Sequence, residues 1–318
     1  MLTHVLFATT LLSGALTPDT TVRFARGGLV EIDVPTCAVT VRVGNEDRLI
    51  VSGGEAELSG RTAEISCGDF PFSRGRNGSR AVVVTVPPST RVEINTLGGA
   101  VEITGATERL DVTTMQGSIR VTNGGGRTSL ESVAGSITVG GFTGTTLMVD
   151  AVAGEVALTD IAASERVSVE GVNGVVRMVG MRAPSVRATS VNGEVLFGGT
   201  LAPDGNYAFE NHNGGITLTL ARTVSARLNI STFMGEFETD IQGTISGGAR
   251  TSTPGRPAPP GGRAGATAGV GAGTRRTTPT PPTTPSMDER EFTVVYGAGD
   301  ARISAESFNG AIRVRVAK

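Results

Sequence analysis

Tryptophan is absent from this 318-residue chain, lysine occurs once (Lys318), and tyrosine, histidine and cysteine occur twice each. Two imidazoles and two thiols cannot supply the convergent groups of most zinc sites or His-based triads, so those chemistries are set aside. Charge of one sign is also lacking: 28 basic against 30 acidic side chains give a formal net charge of −2. A nucleic-acid binder normally carries a clustered basic excess, and no nucleic-acid partner is expected. Long hydrophobic runs are missing too. The apolar run at residues 5–12 falls far short of the ~20 residues that cross a bilayer, and no later stretch reaches that length. No transmembrane segment is expected.

That short run has another use. It is followed by Ser13-Gly14-Ala15, whose small first and third residues suit signal-peptidase cleavage after Ala15. Residues 1–15 are read as a signal peptide, although His4 is the only basic-type residue before the run. The chain is then exported, to the periplasm, the cell surface or the medium. The other reading is a buried N-terminal strand.

Glycine is what the chain has in plenty, 45 residues, about 14% and roughly twice the usual share. Much of it is periodic. Gly99, Gly117, Gly135, Gly154, Gly174, Gly193, Gly214, Gly235 and Gly310 each precede an apolar-x-apolar pair, and the first seven intervals are 18 to 21 residues. Two places after them stand Val101, Ile119, Ile137, Val156, Val176, Val195, Ile216, Phe237 and Ile312. The slots four after and seven before are apolar as well, except at Thr239 and Thr128.

Spacing by two marks strands with alternating faces, not helices. Parity slips between the slot five before each glycine and the apolar slot two before it. A corner is required there, and the intervening residues are small or polar: Thr114, Ser132, Ala151, Gly171 and Ser190. One such unit cannot bury its own apolar face, whereas stacking on like neighbours about 4.8 Å away closes a core. The pattern predicts an all-β, single-stranded parallel β-solenoid (β-helix) of roughly 18–21-residue rungs. The anchor glycine is expected on the inward side, where a side chain crowds the core or positive φ is needed. Asn173, Asn192, Asn213 and Asn309 precede it in four units, so their amides are expected to bond rung to rung or, in a functional reading, to meet a sugar.

Residues 22–88 repeat the pattern loosely, with Cys37 in the glycine place, and read as irregular N-terminal rungs and cap. Residues 89–241 form the regular solenoid, and 291–318 the final rung. Outward Arg313 and Arg315 on that last strand are expected to discourage end-to-end stacking. Between them, 242–290 is an inserted segment of Pro, Gly, Thr and Arg, expected to be disordered. Residues 243–287 hold eight of the 15 prolines, five arginines and no acidic residue; setting those five charges aside takes the rest of the chain from −2 to −7. Such a segment either folds back on the acidic body, binds anionic polymers, or is a tolerated insertion.

The residues from Val84 through Pro87-Pro88 to Ile103, with Met115-Gln-Gly-Ser-Ile-Arg-Val and Val133-Ala-Gly-Ser-Ile-Thr-Val, carry a resemblance. They are similar to the bacterial β-strand-repeat family labelled "putative adhesin", a group of unknown function. The likeness spans about 22–241 and 291–318. It implies an exported or envelope-associated solenoid with no assigned activity, and it transfers no functional residues.

Candidate chemistry is sparse. Glu131, Asp150 and Glu170 occupy the outward slot four before the glycine on three successive rungs, with Glu210 two rungs on. Each pair repels by roughly 1 kcal/mol in water and 3–4 at an effective dielectric of 20, so a cation, a raised pKa or splayed rotamers must relieve it. The row is a candidate cation site, a carboxylate pair for glycosidic cleavage, or three solvated acids. His212 is expected to be a half-buried structural imidazole. Cys37 and Cys67 are an even pair in an exported chain and a candidate disulfide. Gly124-Gly125-Gly126 reads as a turn, since no helix follows to cradle phosphate. No cofactor is implied. The expected function is a non-catalytic, adhesin-like scaffold whose partner is a cell-wall or surface glycan or another envelope protein. The alternative is a carbohydrate-active β-helix enzyme using the acidic row.

Overall fold

A computed structural model describes residues 20–67, 81–246 and 290–317. The signal peptide expected at 1–15 lies outside them, as do residues 247–289 of the insertion. The described chain is all β, mostly of parallel strands, with no helix among the described residues. It forms one solenoid-like stack of repeated rungs. Equivalent residues of successive rungs lie side by side: Val101 with Ile119, Ile119 with Ile137, Ile137 with Val156, Val156 with Val176, and on through Val195 and Ile216. The slot seven before the glycine makes a second such row, Val92, Leu110, Thr128, Leu147, Val167, Val186 and Tyr207.

These rows are the core. Their apolar members are almost wholly buried, at roughly 1.5–3 kcal/mol each. Past these strands, before the next rung begins, Phe142, Ile161 and Met181 are buried with them. The two polar exceptions are satisfied locally. Thr128 Oγ1 donates to the Gly125 carbonyl at 3.0 Å, and Thr239 Oγ1 lies 2.9 Å from the Tyr296 hydroxyl.

The glycine row has a specific cause. A Cβ on Gly117 would overlap the carbonyl oxygen of Gly99, one on Gly135 that of Gly117, and so on along the stack. Each glycine leaves room for the backbone of the rung before it. Residues three before the glycine turn inward beside the corner, and at Thr96, Thr232 and Asn211 their polar atoms meet backbone groups freed by the turn. Thr96 Oγ1 donates to the Gly98 carbonyl at 3.0 Å, Thr232 Oγ1 accepts from the Gly235 amide at 2.9 Å, and Asn211 Nδ2 donates to the Gly193 carbonyl at 2.7 Å.

The order of the rungs differs from the order of the sequence at both ends. At the C-terminal end Ala301–Ser307 lies between the Gly214 rung and Ala226–Thr232, pairing Ile303 with both Tyr207 and Leu228. Ile312–Val316 likewise lies between Ile216–Leu220 and Phe237–Thr239. The last rung of the sequence is therefore next to last in space. Arg313 and Arg315 do not mark an exposed end, and the role expected for them is corrected: they pair with Glu238 (3.2 and 2.9 Å), and Arg315 also with Asp240 (2.9 Å). Spatial neighbours, not chain position, decide which strand is the edge.

The N-terminal end mirrors this. Leu29–Val34 sits between Arg91–Gly98 and Thr62–Ser66, and Ala38–Val43 between Val101–Thr104 and Ala81–Val86. Cys37 stands in the glycine row, its carbonyl filling the space a Cβ on Gly99 would need. It is disulfide-bonded to Cys67, with Cα atoms 6.6 Å apart. Antiparallel strands close both ends: Glu55–Ser59 and Arg48–Ser52 at one, Arg290–Tyr296 at the other.

Candidate functional site

With the inward slots filled by core, the chemistry lies on the outward slots around the corner. Three rows run side by side there along the stack. The first, four before the glycine, is acidic. Glu131 pairs with Asp150, Asp150 with Glu170, Glu170 with Thr189, Thr189 with Glu210, and Glu210 with Glu306. Glu306 is the member that sequence reading missed. Its slot was readable, four before Gly310, but its place beside Glu210 follows only from the inserted rung. Burial, then the charges of Glu170 and Glu131, raise the Asp150 carboxyl above the usual aspartate value. Glu210 is held by Arg187, Nη2 to Oε1 at 2.7 Å. Among the described residues no three His, Cys, Asp or Glu side chains converge as a metal-holding group. The acids form a line and do not close a cage.

The second row, two before the glycine, overturns an expectation. The slot is apolar but points outward: Leu97, Met115, Val133, Val152, Val172, Val191 and Phe308 are 38% to 62% exposed. Alternation runs unbroken through the small or polar residue three before the glycine, which takes the inward place, so the corner falls later than an inward reading of this slot requires, at the glycine itself. His212 belongs to this row and is exposed, so it is not the half-buried structural imidazole expected. Its ring stacks on Phe308 at 4.9 Å and 12°, and Phe308 stacks on Phe233 at 4.6 Å and 6°. The third row is the asparagine ladder. Asn192 Nδ2 donates to Asn173 Oδ1 at 3.0 Å, Asn213 to Asn192 at 3.0 Å, and Asn309 to Asn213 at 2.9 Å. The amides expected to bond rung to rung do so.

The acidic and apolar rows converge on a surface groove of about 500 Å³ across the Gly193, Gly214, Gly310 and Gly235 rungs. Glu210 and Glu306 line one side, and His212, Phe308 and Phe233 the other. Behind them lie Ser190 and Asn211, 2% and 5% exposed, and both line the groove. Among the described residues the Ser190 Oγ and the Asn211 Oδ1 find no hydrogen-bond partner. Among the described residues no helix is long and apolar enough to cross a membrane.

Comparison with known proteins adds a family. The model described as Toastrack DUF4097 matches residues 36–253. No curated protein matches the chain. A solved structure described as a "putative cell adhesion protein from Clostridium sporogenes ATCC 15579" is 11% identical over 94% of this chain and 99% of its own, with a TM-score of 0.21. That score is too low to establish a shared arrangement.

Proposed function

The chain belongs to the Toastrack DUF4097 family, and from its outward rows we propose that it is a non-catalytic binding scaffold, exported or held at the cell envelope. In this reading the stack is a single-stranded parallel β-solenoid with a rigid, regular surface. The partner is a cell-wall or surface glycan or another envelope protein. One observation carries the reading: six large apolar side chains, from Leu97 to Val191, stay exposed in one continuous row that the His212 and Phe308 rings extend, while the core beside them is filled. Monomers rarely keep contiguous apolar surface of several hundred Å² uncovered unless something binds it. The parallel acidic and amide rows give that contact polar edges.

The test is retention of the purified full chain on cell-wall and surface-glycan matrices and on immobilised envelope extract. The expected result is retention that falls at least fivefold when Met115, Val152 and Val172 are replaced by Ser. Unchanged retention removes the apolar row from the function. A glycan hydrolase activity that disappears in Glu131→Ala, Asp150→Ala or Glu170→Ala would replace the scaffold reading with the enzymatic one.

A further inference from the structure

The groove at the C-terminal end of the stack is chemically distinct from the rows that lead to it. Its unshared polar atoms accept hydrogen bonds. Glu210 and Glu306 are carboxylates on paired positions. Asn211 gives its Nδ2 to the Gly193 and Gly215 carbonyls, at 2.7 and 3.2 Å, which leaves the Oδ1 as an unpartnered acceptor. The Ser190 Oγ is unpartnered as well. A buried acceptor without a donor is costly, and the two residues that carry these atoms form the floor of one groove.

The charge balance within the groove is specific. Arg187 takes Glu210 Oε1 at 2.7 Å, whereas among the described residues Glu306 receives the Ser304 hydroxyl, at 3.3 Å, and no cation. Glu306 is thus the carboxylate of the pair without a counter-ion among the described residues. Opposite it stand the stacked rings of His212, Phe308 and Phe233, an apolar wall of π surface. Acceptors, one uncompensated negative charge and aromatic rings together fit a donor-rich cation with an apolar stem. Arginine meets that description better than lysine, because its planar fork presents five donors and stacks on rings.

We propose that this groove is a docking site for an arginine side chain on an exposed segment of a partner protein. The groove is open and continues into the apolar row at Val191, Val172 and Val152. The occupant is therefore an extended segment with apolar residues beside its arginine, and not a free small cation. The inference rests on the scaffold reading and names the partner chemistry for one part of its surface.

Fluorescence anisotropy with the full chain tests it, using labelled ten-residue peptides that alternate Arg and Leu, Lys and Leu, or Glu and Leu. The Arg-Leu peptide is expected to bind several-fold tighter than the Lys-Leu one, and the Glu-Leu peptide not at all. Glu306→Gln is expected to weaken Arg-Leu binding about tenfold. Phe308→Ser is expected to weaken it at least fivefold, and the distant Glu131→Gln to leave it unchanged. Glu306 and Phe308 are exposed, and thermal unfolding of each variant checks that the fold is kept. Equal binding of the Glu-Leu peptide, or no loss in either groove variant, overturns the proposal. So does a dimer of the wild-type chain that Phe308→Ser abolishes in sedimentation, which would make the occupant a second copy. If changing Arg250, Arg256, Arg263, Arg275 and Arg276 to Ser tightens peptide binding tenfold, the occupant is the chain's own arginine-rich segment and the assignment to a partner falls. Failure of every peptide with retention on cell-wall matrices intact sinks the groove and leaves the scaffold standing.

Discussion

The two ends of the stack meet the same problem with the same topology and different chemistry. A parallel stack must end in a rung whose backbone groups lack a partner on one side. At each end the rung nearest the chain terminus is drawn one step inward, and the outermost rung is covered by antiparallel strands. At the N-terminal end the inserted rung is tied to the outermost one by the Cys37–Cys67 disulfide. At the C-terminal end the corresponding tie is ionic, from Arg313 and Arg315 to Glu238 and Asp240. The N-terminal closure therefore answers to redox conditions and the C-terminal closure chiefly to salt.

The largest expected effect tests the insertion itself. A Cβ on Gly310 would overlap the Gly214 carbonyl, and one on Gly235 would overlap that of Gly310, so the inserted rung is gripped on both faces. Gly310→Ala is expected to cost about 3 kcal/mol in urea unfolding. Gly140→Ala, where a Cβ meets nothing within 4 Å, is expected to cost less than about 0.5 kcal/mol. Equal losses would show that the C-terminal rung is not held where the structure places it.

Next in size is the N-terminal tie. Cys67→Ser or reduction is expected to lower stability by about 2–4 kcal/mol. Hydrogen exchange is expected to rise at Leu29–Val34 and Thr62–Ser66 and not at Ala301–Ser307. Exchange that rises equally at both ends breaks the contrast. The ionic tie is smaller. Its side chains are 39% to 49% exposed, so Glu238→Gln is expected to cost about 1 kcal/mol or less. High salt is expected to raise exchange more at the C-terminal end than at the N-terminal end, because exposed pairs are screened and a disulfide is not.

The smallest effect belongs to the regular middle, where Asp150 stands between two other acids. The native Asp150 carboxyl titrates above its ordinary value of 3.8, so the native state holds its proton more tightly than the unfolded chain. Its contribution is therefore fully present below the unfolded pKa and is lost as pH rises through the native one. Asp150→Asn is expected to flatten that part of the stability-against-pH curve and to leave the variant more stable than wild type at neutral pH. A variant that is instead less stable than wild type at neutral pH, by a difference that vanishes in acid, would mean that Asp150 is stabilised as an anion.

Much of the site was legible one slot at a time. The acids at 131, 150 and 170 and the amides at 173, 192 and 213 could be placed in register from their distance to the glycine, because each rung repeats the same count. The outward turn of Leu97, Met115 and Val133 was not legible. Near a corner one residue of slack changes which side chain faces in, and hydrophobicity alone then misassigns the slot. Small hydroxyls at Thr114 and Ser132 took the inward place because the corner is too tight for a large side chain there.

The sequence by itself determined the strand class, the repeat length and the inward rows, since these depend on local alternation and on residues such as Gly135 and Gly154 that only a close neighbour explains. Tertiary structure alone decided which rung lies beside which. The rungs share one interface pattern, so any of them stacks acceptably on any other, and periodicity holds no information about order. Only the closing strands, the cross-links at Cys37 and Arg315 and the single fit of Gly310 between Gly214 and Gly235 select the arrangement that brings Glu306 and Phe308 into the groove.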